Sequence, residues 1–477
     1  MKLARHLAGY LPVNLANAIA SFGGVYVFTR LLSAEDYGTY ALMFWAMMMI
    51  HTVCLTWVEA AGYRFSGAAE ASGDLADHYR TALPLMVQAV AMALIVCAVM
   101  WVFLRDRPAY AATLPWIAAL MPINTIVQTA LEAHKAGQRV GRYVFTETFR
   151  LLTGFALGAF AAWKLGFGSA APFFGMAVAG GLMAVKELVW LVGKARGGKT
   201  SRARQMQWMR YGIPVAAALV LDLIVSGIDR PMIAALLSDG EAQVGIYAAG
   251  YGAAQRPVLL ICTWAAMAGS PLLMAAYEKG GADDLREAGR QLATFLLMAG
   301  VPAAAGIALI ARPFAEVMIG EELREGAIRI MPWIALTGLL NGLLVSYVSE
   351  AFQLSRHTGE RALLMLVPAA LNIALNFILL PRMGLMGAVV ATVAAYAAAV
   401  LLLSIAGRRH VALPVPWADL AKICAAAFAM WPVIALLPSP GGWTEVFLKA
   451  ACGAATYAII LFLLNAGGIR SFVRQRP

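Results

Sequence analysis

LLSAEDYGTYA at residues 31–41 recurs, two residues longer, as LLSDGEAQVGIYA at residues 236–248, with Gly38 opposite Gly245 and Tyr40 opposite Tyr247. The relation returns further on. LEAHKAGQRVGR (131–142) lies opposite SEAFQLSRHTGE (349–360), and KLGFG (164–168) opposite RMGLM (382–386). From 131 to 349 and from 164 to 382 the offset is the same 218 residues, and a shift that holds from one stretch to the next marks a duplicated chain.

What is duplicated is a set of membrane spans. The 477 residues are 61% hydrophobic and 13% charged, with a mean hydropathy of +0.73, whereas a soluble domain carries roughly one-quarter charged residues. A hydrocarbon layer about 30 Å thick takes about 20 apolar residues per helix. Fourteen such runs are predicted, at about 7–29, 39–61, 82–104, 111–131, 143–163, 169–192, 211–237, 244–276, 291–311, 328–352, 362–381, 385–407, 418–437 and 443–467. The expected fold is an all-α integral membrane protein with two six-helix lobes, residues 1–200 and 201–410, followed by two additional spans and a cytoplasmic tail at 411–477. Six is an even number, so both lobes enter the membrane in the same direction, as in transporters built from parallel repeats around a central cavity.

The linker between the lobes contains GKARGGKT (193–200), a letter-for-letter match to G-x-x-x-x-G-K-[ST]. That motif holds phosphates only where a buried strand enters the glycine turn and a helix leaves it. Here it follows the apolar run ending Leu191-Val192 and precedes the seventh span by fewer than twenty residues, so no nucleotide-binding domain fits. Lys194, Arg196, Lys199, Arg202, Arg204 and Arg210 make it a basic linker suited to anionic lipid.

A net charge of +11 would suggest nucleic acid in a soluble chain, but here the charges report topology. The termini and the even-numbered connections carry about three times as many Lys and Arg as the odd-numbered ones, which places both termini in the cytoplasm. No nucleic-acid partner is expected. Ala18-Ile19-Ala20 before Ser21 imitates a signal-peptidase site, yet Pro12, Asn14 and Asn17 interrupt the apolar stretch, which reads as a retained first helix. Cys54, Cys97, Cys262, Cys424 and Cys452 all fall inside spans without metal-ligand spacing and read as packing residues. No metal and no cofactor is called for.

Three further patterns carry a resemblance. Arg30-Leu31-Leu32-Ser33-Ala34-Glu35-Asp36-Tyr37-Gly38, Asp229-Arg230 followed by Gly245-Ile246-Tyr247, and Asn372, Asn376 and Pro381-Arg382-Met383-Gly384-Leu385-Met386-Gly387-Ala388 resemble polysaccharide transporters of the multidrug/oligosaccharidyl-lipid/polysaccharide exporter superfamily, the O-antigen (Wzx-type) flippases. The resemblance implies a protein of the bacterial inner membrane. It would move an undecaprenyl-diphosphate-linked oligosaccharide from the cytoplasmic to the periplasmic leaflet by alternating access, for surface polysaccharide biosynthesis. A coupling ion, H+ or Na+, and polymerase or glycosyltransferase partners belong to the same expectation.

Such a substrate needs a wet polar cavity, and candidates for its lining stand in the spans. In the seventh span Asp222, Ser226, Asp229 and Arg230 share one helical face, with Asp222 about 18 Å beyond Arg210. In the eighth, Tyr251 and Gln255 lie on one face with Tyr247, beside Arg256 and Pro257. An Arg or Asp at a span's centre costs roughly 2.5–3.5 kcal/mol, so these charges are expected to face inward. Arg256 is the candidate for the diphosphate, because a guanidinium grips phosphate oxygens in pairs. Asp222 reads either as the coupling-ion site or as a partner for Arg256, and Arg230 either as a substrate contact or as a snorkelling side chain. Asn14 and Asn17 in the first span, Asn124 in the fourth, and Asn372 and Asn376 in the eleventh suit sugar hydroxyls or interhelical bonds equally. Glu132 and Glu350 occupy matching ends of the fourth and tenth spans and are candidates for a gate, and Arg150 meets either Glu147 or the diphosphate. The alternatives are a cation-coupled multidrug exporter or a lipid II flippase of the same superfamily. A glycan polymerase fits poorly, because the longest outer connection, 312–327, is short and has no histidine.

Overall fold

A computed structural model describes residue 9, residues 11–279 and residues 281–470. The start of the first predicted span and the tail 471–477 lie outside these residues. All regular elements among them are helical. In chain order they are α1 (Leu11–Leu31), α2 (Ala34–Cys54), α3 (Thr56–Ala71), α4 (Leu75–Leu104), α5 (Pro108–Ala136), α6 (Val140–Phe160), α7 (Ala171–Ala195), α8 (Arg202–Gly227), α9 (Asp229–Leu236) and α10 (Gly240–Lys279). They continue with α11 (Ala282–Leu309), α12 (Ala311–Met318), α13 (Glu321–Leu343), α14 (Glu350–Leu354), α15 (Thr358–Leu364), α16 (Leu366–Met383), α17 (Leu385–Gly407), α18 (Trp417–Phe428), α19 (Met430–Leu436) and α20 (Gly442–Leu463).

Twelve helices among the described residues are long and apolar enough to cross a membrane, or thirteen when the bent pair α2 and α3 is one span. The remaining expected segment is α6, 21 residues long, which carries Arg142, Glu147 and Arg150. It packs along α1 and α7. Contacts divide the chain into two compact units: residues 1–223 with 241–245, and residues 224–240 with 246–477. Most of α8, which the sequence places in the second lobe, therefore belongs with the first unit.

In the first unit, the repeated stretch is a helix start. Ser33 caps α2, its Oγ accepting the Asp36 N–H at 3.1 Å, and Glu35 and Asp36 complement the helix dipole. Between α2 and α3 the chain bends by 54° at the fully buried Leu55. The Trp57 indole N–H donates to the Cys54 carbonyl at 2.9 Å and so satisfies a group that the bend releases. Leu55, Trp57, Ile117, Met121, Phe173 and Trp208 share one core cluster. The two glycines of the repeat meet here: a side chain on Gly38 would run into the Glu241 carbonyl and the Gly245 N–H. Glu241 is also held by Tyr110 Oη, which donates to Oε1 at 2.9 Å, and by Arg107 Nη1 at 3.3 Å. The Gly154/Gly158 pair is a packing motif, placing α6 directly against the Gly175 backbone of α7.

The stretch that imitates a phosphate loop is a docking segment. The Lys199 N–H donates to Asp77 Oδ1 at 2.7 Å, the Ser201 N–H to Thr81 Oγ1 at 3.2 Å, and Arg204 Nη2 pairs with Asp74 Oδ2 at 2.8 Å. Its backbone donors are consumed by the start of α4, and no strand precedes them among the described residues.

In the second unit, α16 and α17 pack side by side, α13 packs on α11 and α17, and the C-terminal helices α18 to α20 sit on α11 and α12. Ile423, Met430, Ile434 and Tyr457 build the small core of that appendix with Leu297 and Ile310. The cysteines divide: Cys54, Cys97 and Cys262 are buried as packing residues, whereas Cys452 is half-buried and Cys424 is exposed, so packing does not explain that one. The duplication is also written in the backbone. Left-handed conformations fall at Gln138 (φ 51°) and Arg356 (φ 61°), and at Gly166 (φ 64°) and Gly384 (φ 58°), pairs that obey the 218-residue shift.

Gly38→Ala is expected to destabilise the protein by about 1–3 kcal/mol or more, since backbone and not a flexible side chain occupies the space. Thermal unfolding in detergent measures this, and a wild-type midpoint would contradict the crossing. Lys199→Ala is expected to leave stability within about 0.5 kcal/mol, because Lys199 acts through its backbone N–H. Loss of activity at normal expression would return the nucleotide reading.

Candidate functional site

The deepest polar feature of the second unit is Asp229, at the first turn of α9 and fully buried. Its carboxylate accepts from Tyr247 Oη at 2.8 Å, Thr392 Oγ1 at 2.9 Å and Asn376 Nδ2 at 2.8 Å. Four helices supply this one centre: α9, α10, α16 and α17. Asn372, also fully buried, lies one turn before Asn376, whose Nδ2 donates to the Asn372 carbonyl at 2.9 Å. Among the described residues no cation pairs with Asp229, and Asn376 Oδ1 has no partner. Burying a carboxylate costs several kcal/mol, which three donors and the neighbouring Arg230 guanidinium offset in part. Asp229, Asn372 and Asn376, offered by the sequence as substrate contacts, are closed off from any large ligand in this structure.

The stripe of the seventh span crosses a helix boundary. The helix is interrupted at Ile228, and Asp222 falls in the first unit whereas Ser226, Asp229 and Arg230 fall in the second. Arg230 is half-buried. Its guanidinium lies 4.9 Å from the centre of the Tyr251 ring, and its Nη1 donates to the Ser226 carbonyl at 3.4 Å. Tyr251 is buried, and so is Gln255, whose Nε2 donates to Thr337 Oγ1 at 3.5 Å.

Arg256 behaves otherwise. α10 runs unbroken through Pro257 and Pro271 for 40 residues. Arg256 stands about 24 Å from its start and about 34 Å from its end at 1.5 Å per residue. The side chain is exposed, on the same helical face as Thr263, Met267 and Met274, and has no ion pair or hydrogen bond among the described residues. It was expected to face a polar cavity, and in the structure its guanidinium is open.

In the first unit the polar groups gather at the bend between α2 and α3. Glu59 Oε2 accepts from His51 Nε2 at 3.0 Å across the bend. Beside them Gln128 and Glu132 project from α5, and with Thr56, Glu59, Tyr63 and Lys135 they line a cleft of about 420 Å³. Glu132 is paired with Lys135 at 2.9 Å, and its repeat counterpart Glu350 accepts from Ser270 Oγ at 2.7 Å rather than from Arg356. Asn124 is half-buried, one turn before Gln128, whereas Asn14 and Asn17 are exposed on α1. Asp222 is half-buried. Arg150 is held by Glu147 in a two-point pair, 3.0 Å and 2.7 Å.

Three features escaped the sequence reading. His51 and Glu59 stand in one predicted span eight residues apart, a spacing that becomes a contact only through the bend. Thr392 looks like any small residue of an apolar helix. His134 and Glu187 are both buried, 3.0 Å apart, with Thr146 Oγ1 donating to Glu187 at 2.9 Å and Lys186 Nζ 3.3 Å from the same carboxylate. No cluster of three His, Cys, Asp or Glu side chains suited to a metal exists among the described residues.

A family model described as "Polysaccharide biosynthesis protein" matches residues 3–275. No curated protein sequence matches. Among solved structures, "Lipid II flippase MurJ, inward closed conformation" is similar at a TM-score of 0.75 and 14% identity, covering 97% of this chain and 100% of that one. An inward-facing multidrug resistance transporter of the MATE family and MOP superfamily is similar at 0.64 and 17%, covering 84% and 94%. A MOP superfamily transporter from Pyrococcus furiosus follows at 0.56 and 16%, covering 85% and 93%. At these identities the likeness concerns the fold.

Proposed function

Because the chain belongs to the polysaccharide biosynthesis protein family, we propose that it is a flippase, carrying a polyprenyl-diphosphate-linked oligosaccharide from the cytoplasmic to the periplasmic leaflet of a bacterial inner membrane by alternating access. The observation that carries this reading is Arg256: an open, unpaired guanidinium near the middle of a membrane-length helix. Facing lipid alone it would cost roughly 2.5–3.5 kcal/mol, so it calls for an anion. A diphosphate is the anion that a lipid-linked sugar brings, and the planar fork of Arg matches its oxygens.

The buried centre at Asp229 supports coupling to H+ or Na+. Its occupancy decides whether a carboxylate inside the second unit is charged, and a gradient acting there biases one packing of α9, α10, α16 and α17 over another. This moves the ion from Asp222, the sequence candidate, to Asp229. Glu132 and Glu350 remain gate residues in this proposal, each already holding a partner within its own unit. Both termini are placed in the cytoplasm on the charge asymmetry of the connections. No step requires covalent chemistry.

Arg256→Ala is expected to abolish export of the glycan, or of a fluorescent lipid-linked analogue in proteoliposomes, while the protein remains in the membrane. Normal export by that variant would remove the diphosphate role. Asp229→Asn keeps the shape of the centre without its charge. Transport by this variant is expected to be slow and indifferent to an imposed pH or Na+ gradient that accelerates the wild type, and a wild-type response would displace the ion from this site.

A further inference from the structure

The cleft at the bend of α2 and α3 has a chemistry unlike that of Arg256. Its charged lining is Glu59, Glu132 and Lys135, and Lys135 is already paired with Glu132. Glu59 keeps one oxygen for His51, while its other oxygen, Oε1, is buried without a hydrogen-bond partner among the described residues. A second unmatched group lies immediately behind. Thr129, only 7% exposed, has a hydroxyl without a partner among the described residues, and it lines a void of about 10 Å³ with Glu59, Tyr63, Glu132 and Ser66. That void is about the size of one water, whereas the 420 Å³ cleft it adjoins lies within the roughly 300–1,000 Å³ of small-molecule sites.

A diphosphate would meet two carboxylates here, Glu59 beside His51 and Glu132 beside Lys135, and their charge disfavours it. A ligand rich in O–H and N–H donors meets the opposite situation. Glu59 Oε1 is a charged acceptor that lacks a donor, and Gln128, Tyr63 and Thr129 can each donate or accept. Tyr63 also offers a ring face, 53% exposed, for the apolar side of a pyranose. We propose that this cleft is a sugar subsite, in which Glu59 receives hydroxyl or amino groups of the glycan head group, Thr129 is reached through a water held in the void behind it, and the diphosphate is left to Arg256. The proposal rests on the flippase reading and assigns its glycan recognition to the first unit.

The test uses the full chain in nanodiscs with soluble probes: methyl glycosides of glucose, N-acetylglucosamine and glucosamine, inorganic pyrophosphate, and tetraphenylphosphonium as an organic cation. Saturation-transfer NMR is expected to show contact with at least one glycoside. Glu59→Ala and Thr129→Val should weaken that contact by about tenfold, the worth of a hydrogen bond to a charged group, with Glu59→Gln recovering part of it. Arg256→Ala should leave glycoside contact unchanged and lower pyrophosphate contact. Thermal unfolding of each variant separates lost binding from lost fold, and Glu59→Gln keeps the bond to His51. Glycoside contact that is absent, or equal in wild type and the Glu59 and Thr129 variants, overturns the subsite. So does tetraphenylphosphonium binding that Glu59→Ala abolishes and no glycoside displaces. Export that fails in Arg256→Ala but proceeds normally in Glu59→Ala refutes the subsite alone and leaves the flippase reading intact, whereas normal export in Arg256→Ala strikes the flippase reading itself.

Discussion

A charge inside hydrocarbon has to be answered by something. In water an unpaired carboxylate or guanidinium is an ordinary surface group, but within a membrane-length helix it must find donors, a counter-ion, or an aqueous space. Nearly every polar group placed deep in this chain obeys that constraint within its own unit. Glu187 has His134, Thr146 and Lys186; Arg150 has Glu147; Glu59 has His51 for one of its oxygens. Against that background the groups left incomplete are informative. Asp229 has donors and only the adjacent Arg230 as a cation, Arg256 has no protein partner among the described residues, and Glu59 Oε1 and Thr129 lack donors.

The duplication sharpens the argument, because one scaffold appears twice with different fillings. Shifted back by 218 residues, Asn372 and Asn376 fall on Gly154 and Gly158. With the offset of the first repeated stretch, Asp229 falls on Gly24. In the first unit these glycines serve packing: Gly158 lies against Pro172 and the Phe28 ring, and Gly154 against the Gly175 carbonyl. In the second unit the same positions hold a carboxylate and two amides, joined by Thr392 and Tyr247. Hydrogen bonds from four helices replace close approach of backbones. Such an arrangement is sensitive to the charge of one group, which dry glycine packing is not.

Much of this architecture was legible before any coordinates. Apolar runs, the 218-residue shift and the basic connections are local or periodic signals, and the helices follow them. Contacts were harder. A stripe such as Asn124, Gln128 and Glu132 could be read because neighbours on a helix face depend only on the 3.6-residue period. The meeting of Asp229 with Asn376 and Thr392, 147 and 163 residues away in sequence, depends on which helices pack together, and periodicity is silent on that. Helix breaks misled most. Continuity through Ile228 put Asp222 and Asp229 on one stripe, and continuity through Leu55 hid the approach of His51 to Glu59. Arg256 was found for a sound reason, the cost of a mid-span cation.

The same accounting explains why substrate and ion call for separate chemistry. A diphosphate needs a cation that can be reached and released, so its partner has to be open, and Arg256 is open. A coupling ion needs a centre small enough to exclude the substrate and buried enough that its charge alters packing, and Asp229 is fully enclosed. Sugar hydroxyls need neutral or anionic acceptors, which would repel the diphosphate if they lay beside it. In the proposed reading, acceptors in one unit and a guanidinium in the other lie far apart along the chain. A gene duplication supplies this freedom, since each copy can keep the helical frame while its polar residues diverge toward one part of a composite substrate.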